Sequence, residues 1–232
     1  MSVKLLTFDL DDTLWPCMDT ILKTEEALHL WFSVHHPEIS SRYSMEELRE
    51  KRIELAKNNQ HLAHDFTAIR KKSFTELSRE LQYTPEKEAQ FIQDAFELYF
   101  SERNKVNLYQ DVLPTLEKLK DSYRLAAVTN GNADVFLIGL GHLFEFSWSA
   151  ADAGQQKPHP LVFESMLEKY QLDSKEVLHI GDDPVNDIQG AHNAGIRSVW
   201  LNRNDSAWPE ELTPPFIEID QLNQLPDVLM GL

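Results

Sequence analysis

Three carboxylates stand close together near the start of the chain. The segment 8–13 reads FDLDDT and places Asp9, Asp11 and Asp12 within four positions, directly after a short apolar run. Carboxylate oxygens bind hard divalent cations, attack electrophilic centres as nucleophiles, and exchange protons as acids or bases. A solvated turn or a helix cap uses the same residue types, because Asp and Thr side chains bond to nearby backbone. This segment alone therefore leaves both interpretations open.

Three further polar clusters lie farther along the chain. Thr129 and Asn130 directly follow the apolar run 125–128, and Lys157 precedes a predicted helix. The segment 181–187 reads GDDPVND after the apolar run 177–180, and it adds Asp182 and Asp187. All four clusters fall at predicted strand ends. Because open α/β sheets bind ligands at the carboxyl ends of their strands, the four clusters together favour a functional site.

The elements that carry these clusters alternate between strands and helices. Apolar runs predict strands at 3–8, 125–128, near 146, 177–180, 198–201 and 216–219. Helices are predicted from 114, after 134, from 160 and over 184–194. Such alternation implies right-handed crossovers and a parallel sheet. The predicted fold class is therefore α/β, with a doubly wound parallel sheet.

The region 15–108 follows a helical pattern instead. Apolar faces recur before Pro37, over 66–81 and over 89–100, and Ser44 with Glu47 forms the S-x-x-E pattern of a capping box. We predict a four-helix insert over 15–108 that covers one edge of a core formed by 1–14 and 109–232. The insert carries net charge −3 and the remainder −13, so we hypothesise that the insert faces an anionic substrate.

Aromatic and histidine side chains of the insert are candidates for substrate contacts. Trp15 and Trp31 offer planar rings for stacking, although aromatic residues at helical spacing are typical of a core. The histidines show no metal-ligand spacing with a third partner; they are His29, His35, His36, His61 and His64.

Composition excludes several classes of protein. The 232 residues carry a net charge of −16, which argues against a nucleic-acid partner because such binding needs clustered Lys and Arg. Cys17 is the single cysteine, so a disulfide scaffold and a cysteine-based structural zinc module are excluded. Since no apolar run approaches about 18 residues, no membrane partner is expected. We expect a cytoplasmic protein, and the oligomeric state stays open.

In their order along the chain, the four clusters resemble the motifs of phosphatases of the haloacid dehalogenase superfamily. In that family the first strand ends in D-x-D-x-T, a Thr or Ser follows a later strand, a Lys comes third, and G-D-x-x-x-x-D comes fourth. The resemblance spans the α/β portion and implies a Rossmann-like core, and the insert resembles a helical C1-type cap. TNGN at 129–132, with GLG at 139–141 and FEF at 144–146, is similar to the flavin mononucleotide phosphatase and nucleotidase-like branch. Asp12 departs from the pattern, since many relatives have Gly there.

The resemblance implies a role for each matching acidic residue. Asp9 is the implied nucleophile, which forms an aspartyl phosphate, and Asp11 protonates the leaving alcohol and then deprotonates the attacking water. The implied cofactor is Mg²⁺, held by the Asp9 carboxylate, the Asp11 backbone carbonyl and the Asp182 carboxylate. Asp187 would hold water on the metal.

The other matching residues are implied to bind phosphate. Thr129 donates its hydroxyl to a phosphoryl oxygen, Asn130 lies beside it, and Lys157 neutralises the transferring group. The implied activity is Mg²⁺-dependent hydrolysis of a small soluble phosphomonoester. Flavin mononucleotide and nucleoside monophosphates are the candidate substrates.

Alternative functions remain open on the same residues. A phosphomutase differs only in whether water or a bound phosphosugar reaches the aspartyl phosphate. A dehalogenase has no need of Asp11, of metal ligands or of a phosphate-binding Thr. A signalling receiver or a non-catalytic phosphate-binding module is disfavoured, because receivers are about half this length and because both Asp9 and Asp11 are present.

Overall fold

The computed structural model describes residues 3–231, and within them six mostly apolar segments pair into one sheet. The strands are β1 (Leu5–Phe8), β2 (Arg124–Thr129), β3 (Phe146–Ser149), β4 (Val177–Gly181), β5 (Arg197–Leu201) and β6 (Ile217–Ile219). Their order in the sheet is β3-β2-β1-β4-β5-β6, and every neighbouring pair is parallel. The predicted doubly wound parallel sheet is therefore confirmed.

Strand order and register bring three strand ends to one place. Phe8, the last residue of β1, lies opposite Ala127 on one neighbour and Ile180 on the other. On one side of β1 the strands follow chain order outward through β2 to β3. On the other side they follow chain order outward from β4 through β5 to β6. Such a reversal of strand order opens a crevice at the carboxyl edge of a parallel sheet. The residues after β1, β2 and β4 meet there.

The described chain divides into two units. The first comprises the sheet and its helices, before Cys17 and from Asn107 onward, and the second is Cys17–Val106. The predicted insert, 15–108, begins and ends two residues outside this second unit. Its role as a cap stays a prediction.

The second unit is helical. Its helices are α1 (Cys17–His35), α2 (Pro37–Ser40), α3 (Met45–Asn58), α4 (Phe66–Glu80) and α5 (Pro85–Arg103), with a 3₁₀ turn at Gln60–Leu62. Three of the four long helices lie where the apolar faces predicted them, and α3 begins where the capping box predicted it. The capping box is present: the Ser44 side chain accepts from the Glu47 backbone N–H, and the Glu47 carboxylate accepts from the Ser44 N–H. An apolar cluster that includes Phe32, Phe74 and Phe91 forms the core of this unit.

Shorter helices surround the sheet of the first unit. They are α6 (Val112–Leu119), α7 (Ala150–Ala153), α8 (Leu161–Tyr170), α9 (Gly190–Asn193) and α10 (Leu225–Met230), with 3₁₀ turns at Ser174–Glu176 and Leu222–Gln224. The apolar residues of the strands pack beneath them, as strands buried on both faces require. Among the helices of residues 3–231, none combines the length and apolar character needed to cross a bilayer.

The predicted helix after Asp134 is a single turn. The Asp134 carboxylate accepts from the backbone N–H of Phe136 at 2.8 Å, as at a helix start. Gly139 then has φ +95°, a left-handed conformation that ends helices, and Leu140 N–H donates back to Val135 O. The prediction of a full helix was wrong because its apolar residues lie just before this glycine stop.

The predicted helix over 184–194 is divided in two. Pro184–Gln189 forms a π-helical turn, and α9 follows directly. The wider turn brings Ile188 N–H to Asp183 O, and the Asp187 carboxylate accepts from the Asp183 N–H at 3.0 Å. π-Helical turns are frequent at functional sites, and this one carries Asp187.

Candidate active site

The turn after β1 holds the first acidic cluster. Asp9 is buried and continues the β1 pattern, since its N–H donates to Ile180 O at 2.9 Å. Asp12 has φ +61°, and its N–H donates to Trp15 O at 2.8 Å, so the chain folds back tightly. Asp11 is half-buried and Asp12 is exposed. The turn therefore buries Asp9 but leaves Asp11 partly open to solvent, although they are two residues apart.

Lys157 joins two of the predicted acidic residues. Its buried ammonium donates to Asp9 Oδ1 and to Asp187 Oδ1, both at 2.6 Å, and to Val128 O at 2.8 Å. Asp187 is 1 % exposed and Lys157 3 % exposed, so water screens these ion pairs weakly. One cation thus holds two carboxylates that come from different strand ends.

Asn130 fixes the main chain of Lys157. Its side-chain amide accepts from Lys157 N–H at 2.7 Å and donates to Lys157 O at 3.0 Å. The peptide bond between Lys157 and Pro158 is cis. The amide of Asn130 is therefore engaged with Lys157, and its predicted contact with phosphate stays a prediction.

Asp182 lies beside Asp9 through Thr13. The Thr13 hydroxyl donates to Asp182 Oδ1 at 2.8 Å and lies 3.5 Å from Asp9 Oδ2. The indole of Trp200 donates to the backbone oxygen of Asp182 at 2.7 Å. The first contact fixes the segment that follows β4 against the turn that follows β1, and the second fixes it against β5.

Thr129 ends β2 at the same edge of the sheet. It is buried, and its Oγ1 accepts from the Gly131 N–H at 2.9 Å, which leaves its own O–H as a donor. The structure places it on the strand next to β1, and its predicted role in binding phosphate stays a prediction.

The acidic residues form a set that fits a divalent cation. Asp9, Asp182 and Asp187 each offer a carboxylate oxygen, and these oxygens lie within 4.8 Å of one another. Lys157 supplies one positive charge against these three carboxylates. Hard oxygen donors are the ligands that Mg²⁺ takes in proteins. The set therefore fits the predicted metal in both donor type and charge.

The pKa values reflect this excess of carboxylates. Burial, together with the Asp187 charge, raises the pKa of Asp182 to about 7. Burial also raises the pKa of Asp9 well above its usual value, although Lys157 acts in the opposite sense. A cation at these oxygens would favour the charged forms of both groups.

Lys157 and Asp187 form the charged pair of the site. Burial alone would raise the pKa of Asp187, but the Lys157 ammonium and the bond to His179 hold it below its usual value. Burial would lower the pKa of Lys157, but the Asp187 and Asp9 carboxylates raise it above its usual value. The ammonium form of Lys157 is therefore strongly favoured.

Several residues that support the site were not predicted from the sequence. Thr7 and His179 face each other on β1 and β4; Thr7 Oγ1 lies 3.0 Å from His179 Nδ1, and His179 Nε2 lies 3.3 Å from Asp187 Oδ1. Burial lowers the pKa of His179, which favours the neutral ring. Each is a single polar residue within an apolar strand, and that was the available signal.

Arg203 supports the acidic turn from the end of β5. Its guanidinium donates to Thr13 O at 3.2 and 3.3 Å and to the Asp111 carboxylate at 3.1 Å. Its plane lies over the ring of Tyr109, 4.2 Å from the ring centroid. No local motif marks an arginine that acts through a backbone oxygen, so sequence reasoning missed it.

Comparison with known proteins decides the family. The sequence profile of the haloacid dehalogenase-like hydrolases matches residues 6–201. The chain belongs to this family. The predicted enzyme class, a phosphatase of the haloacid dehalogenase type, is also confirmed by relatives named as phosphatases.

Two curated relatives match this hydrolase over nearly its whole length. The 5-amino-6-(5-phospho-D-ribitylamino)uracil phosphatase YigB of Escherichia coli is 30% identical, covering 98% of this chain and 96% of the relative. The glyceraldehyde 3-phosphate phosphatase of Methanopyrus kandleri is 27% identical, covering 99% of this chain and 98% of the relative.

A solved structure is also similar to this hydrolase. The crystal structure described as a 2-haloacid dehalogenase from Pseudomonas syringae pv. Tomato superposes with a TM-score of 0.91. The two sequences are 36% identical, and the match covers 99% of each chain. The names of these relatives thus include both phosphatases and a dehalogenase.

Proposed function

We propose that this hydrolase cleaves a small phosphomonoester through a phosphoryl group carried on Asp9. The observation that carries the proposal is the convergence of Asp9, Asp182 and Asp187 with Lys157 at one sheet edge. A carboxylate attacks a phosphate dianion only where positive charge offsets their repulsion. Lys157 lies 2.6 Å from Asp9 and supplies part of that charge.

The reaction proceeds in two steps on the side chains of this site. In the first, an Asp9 oxygen bonds to phosphorus while the bond to the leaving oxygen breaks, and Asp11 gives its proton to that oxygen. In the second, Asp11 takes a proton from water, whose oxygen attacks phosphorus and releases Asp9 and inorganic phosphate. The Thr129 hydroxyl and the Asn130 backbone N–H bind the phosphoryl oxygens in both steps, since the Asn130 side-chain amide is engaged with Lys157. Proton transfer of this kind contributes about 10²–10⁴-fold to a rate.

Mg²⁺ is the cofactor that the acidic set fits. The Asp9 and Asp182 carboxylates and the Asp11 backbone carbonyl would hold it, and Asp187 would hold water there. When bound, Mg²⁺ supplies the positive charge that lets a carboxylate and a phosphate share one site. Because Asp187 is fixed by Lys157 at 2.6 Å and by the Asp183 N–H at 3.0 Å, its carboxylate is held in one orientation.

The substrate class follows from the names of the relatives. The Escherichia coli relative is named for a phosphorylated ribitylamino pyrimidine. Flavin mononucleotide also carries a phosphorylated ribityl chain on a planar ring, and nucleoside monophosphates carry a ribose phosphate on one. We therefore expect a phosphorylated sugar or ribityl chain to be preferred over a simple aryl phosphate.

Dehalogenation is the second candidate, and the name of the Pseudomonas syringae structure is what favours it. Asp9 displaces a halide from carbon in such a reaction, and a halide leaves without a proton. Dehalogenation would then use neither Asp11 as an acid nor the metal-binding oxygens of Asp9, Asp182 and Asp187. Their presence favours phosphoryl transfer.

Release of inorganic phosphate, with Mg²⁺ or with a chelator, tests the proposal. The panel contains flavin mononucleotide, nucleoside monophosphates, glyceraldehyde 3-phosphate and p-nitrophenyl phosphate, and chloride release from 2-chloropropionate is measured in parallel. We expect Mg²⁺-dependent phosphate release that Asp9→Asn and Asp11→Asn each reduce by at least about 10²-fold. Asp12→Asn, which changes the exposed neighbour, is the matched control and keeps most activity.

Other outcomes would overturn the proposal. Chloride release without phosphate release would establish a dehalogenase, and a requirement for a sugar bisphosphate would indicate a phosphomutase. Activity retained in Asp9→Asn would exclude Asp9 as the nucleophile.

A further inference from the structure

The indole of Trp15 contacts the side chain of Asp11. Trp15 Nε1 donates to Asp11 Oδ1 at 2.9 Å. The two residues are also joined through the backbone, where they form a bridge and the Asp12 N–H donates to Trp15 O at 2.8 Å. Trp15 is fully buried, so packing fixes its ring and the direction of its N–H bond.

We propose that Trp15 is a positioning residue for Asp11 and that it directs the exchanged proton to Asp11 Oδ2. An indole N–H is a donor only, so Oδ1 must act as its acceptor whenever this bond is present. A proton on Oδ1 would point at the indole N–H proton and break this hydrogen bond, whereas a proton on Oδ2 leaves the hydrogen bond to Oδ1 intact. The proposal rests on the proposed function of Asp11 as acid and base.

The turn geometry makes this bond specific. Asp12 adopts φ +61°, and the Leu14 N–H donates to Leu10 O at 2.8 Å, so the chain reverses within a few residues. This reversal returns the backbone to Asp11 four residues later, at Trp15. A tryptophan at that place reaches the carboxylate with its N–H, whereas phenylalanine fills similar space without a donor.

Loss of the bond has a consequence that depends on the leaving group. A basic alkoxide needs a proton from Asp11 to leave, whereas p-nitrophenolate is a weak base that leaves readily without one. A misplaced acid therefore slows cleavage of alkyl phosphates more than cleavage of p-nitrophenyl phosphate. A change that only loosens the fold slows both to the same degree.

The test compares kcat/KM for a series of phosphomonoesters with leaving groups of rising basicity. In Trp15→Phe we expect about a tenfold to hundredfold loss with alkyl phosphates and less than about a threefold loss with p-nitrophenyl phosphate. In the Asp11→Asn background, Trp15→Phe should add no further dependence on the leaving group. Wild type establishes in the same series whether phosphomonoesters are hydrolysed at all.

Trp148→Phe is the matched control. Trp148 is also buried in the first unit, and its indole Nε1 has no hydrogen-bond partner among the described residues. This variant removes the same atoms from the core without removing a bond to a carboxylate. It should leave the leaving-group dependence as in wild type.

A second variant at Trp15 separates loss of the donor from any disturbance of the fold by Trp15→Phe. Replacing Trp15 by 3-benzothienylalanine, in which sulfur stands in place of the N–H, keeps the shape of the ring and removes the donor. We expect it to give the same leaving-group dependence as Trp15→Phe.

Two results would overturn the inference, and they are distinguishable. If wild type hydrolyses the esters and both Trp15 variants keep its leaving-group dependence, Trp15 does not position the acid and the proposed function stands. If wild type hydrolyses no phosphomonoester, the proposed function fails and the inference fails with it.

Discussion

Charge balance is the main physical feature of the individual site residues. The Asp9, Asp182 and Asp187 carboxylates converge, and Lys157 is the cation that contacts two of them. The pKa of Asp187 is lowered, whereas those of Asp9 and Asp182 are raised. The ionised form is therefore more strongly favoured at Asp187 than at the other two groups. A bound divalent cation would favour the ionised form of all three carboxylates.

Asp182 should make the stability of the metal-free protein depend on pH. Its pKa is raised from 3.8 to about 7, so between these values the folded state binds more protons than the unfolded state. The free energy of unfolding contributed by this group therefore falls as pH rises from about 4 to about 7. Chemical unfolding in the presence of a chelator, measured across this range, checks the prediction.

Variants isolate the contribution of Asp182 from those of other titrating groups. Asp182→Asn should lose the falling component, whereas Asp121→Asn, at an exposed surface position, should follow the wild-type curve. Parallel curves for wild type and Asp182→Asn would contradict the account.

Residues that act through their own motif could be predicted from the sequence, and supporting residues could not. Asp9 and Asp182 were selected because they follow strand ends, and Lys157 because it stands third in the order of the motifs. His179 and Arg203 act through contacts made only after folding, with Asp187 and with the Thr13 backbone oxygen. No spacing in the sequence encodes such contacts.

The junction between β4 and the π-helical turn fixes Asp187. Gly181 ends β4, and a Cβ there would collide with the Asp187 carboxylate. The π turn returns the Asp187 side chain toward the strand, where it accepts from the Asp183 N–H at 3.0 Å. Glycine is therefore required for the close approach of this side chain, which the pattern of a regular helix did not predict.

Gly181→Ala should displace Asp187 and weaken both metal binding and activity. A shift of about 1 Å at a catalytic group costs about 10²-fold in rate, and loss of a supporting contact costs about 10–100-fold in metal affinity. Steady-state rates and Mg²⁺ titration by calorimetry measure the two effects.

Gly231→Ala is the matched control for this change. Its added Cβ lies 3.5 Å from Val228 O, an ordinary contact, so rate and affinity should stay near wild type. Wild-type Mg²⁺ affinity in Gly181→Ala would contradict the proposed close approach.

A buried ion cluster joins three helices of the second unit. Glu25 on α1 accepts from Arg70 on α4 at 2.7 Å and from Arg52 on α3 at 2.8 Å. All three side chains are mostly buried, and burial together with Arg70 lowers the pKa of Arg52 to about 10. Apolar faces predicted α1 and α4 and a capping box predicted α3, but this pairing depends on packing between the helices.

Glu25→Gln should destabilise the protein because it leaves two buried guanidinium groups without their carboxylate. Breaking such a buried pair costs about 3–5 kcal/mol. Glu102→Gln removes the partner of exposed Lys105 and should cost less than about 1 kcal/mol. Urea unfolding measures both, and equal costs would show that the buried cluster contributes no more than a surface pair.

The whole chain assembles its site from distant segments. Lys157 lies 148 positions from Asp9 and 30 from Asp187. The three meet because β1 and β4 end at one edge of a parallel sheet, where the Lys157 ammonium also contacts Val128 O of β2. The α/β alternation predicted this sheet, since strand and helix periodicities are local properties. The glycine stop at 139 and the π turn at 184–189 were not predicted, because single backbone conformations decide them.

Acid-quenched turnover with a radiolabelled phosphomonoester tests the central claim, transfer of the phosphoryl group to Asp9, most directly. With Mg²⁺ present, we expect protein-bound label on the peptide that contains Asp9, and none in Asp9→Asn. Label on another residue, or hydrolysis of the ester with no labelled protein at any quench time, would contradict the account.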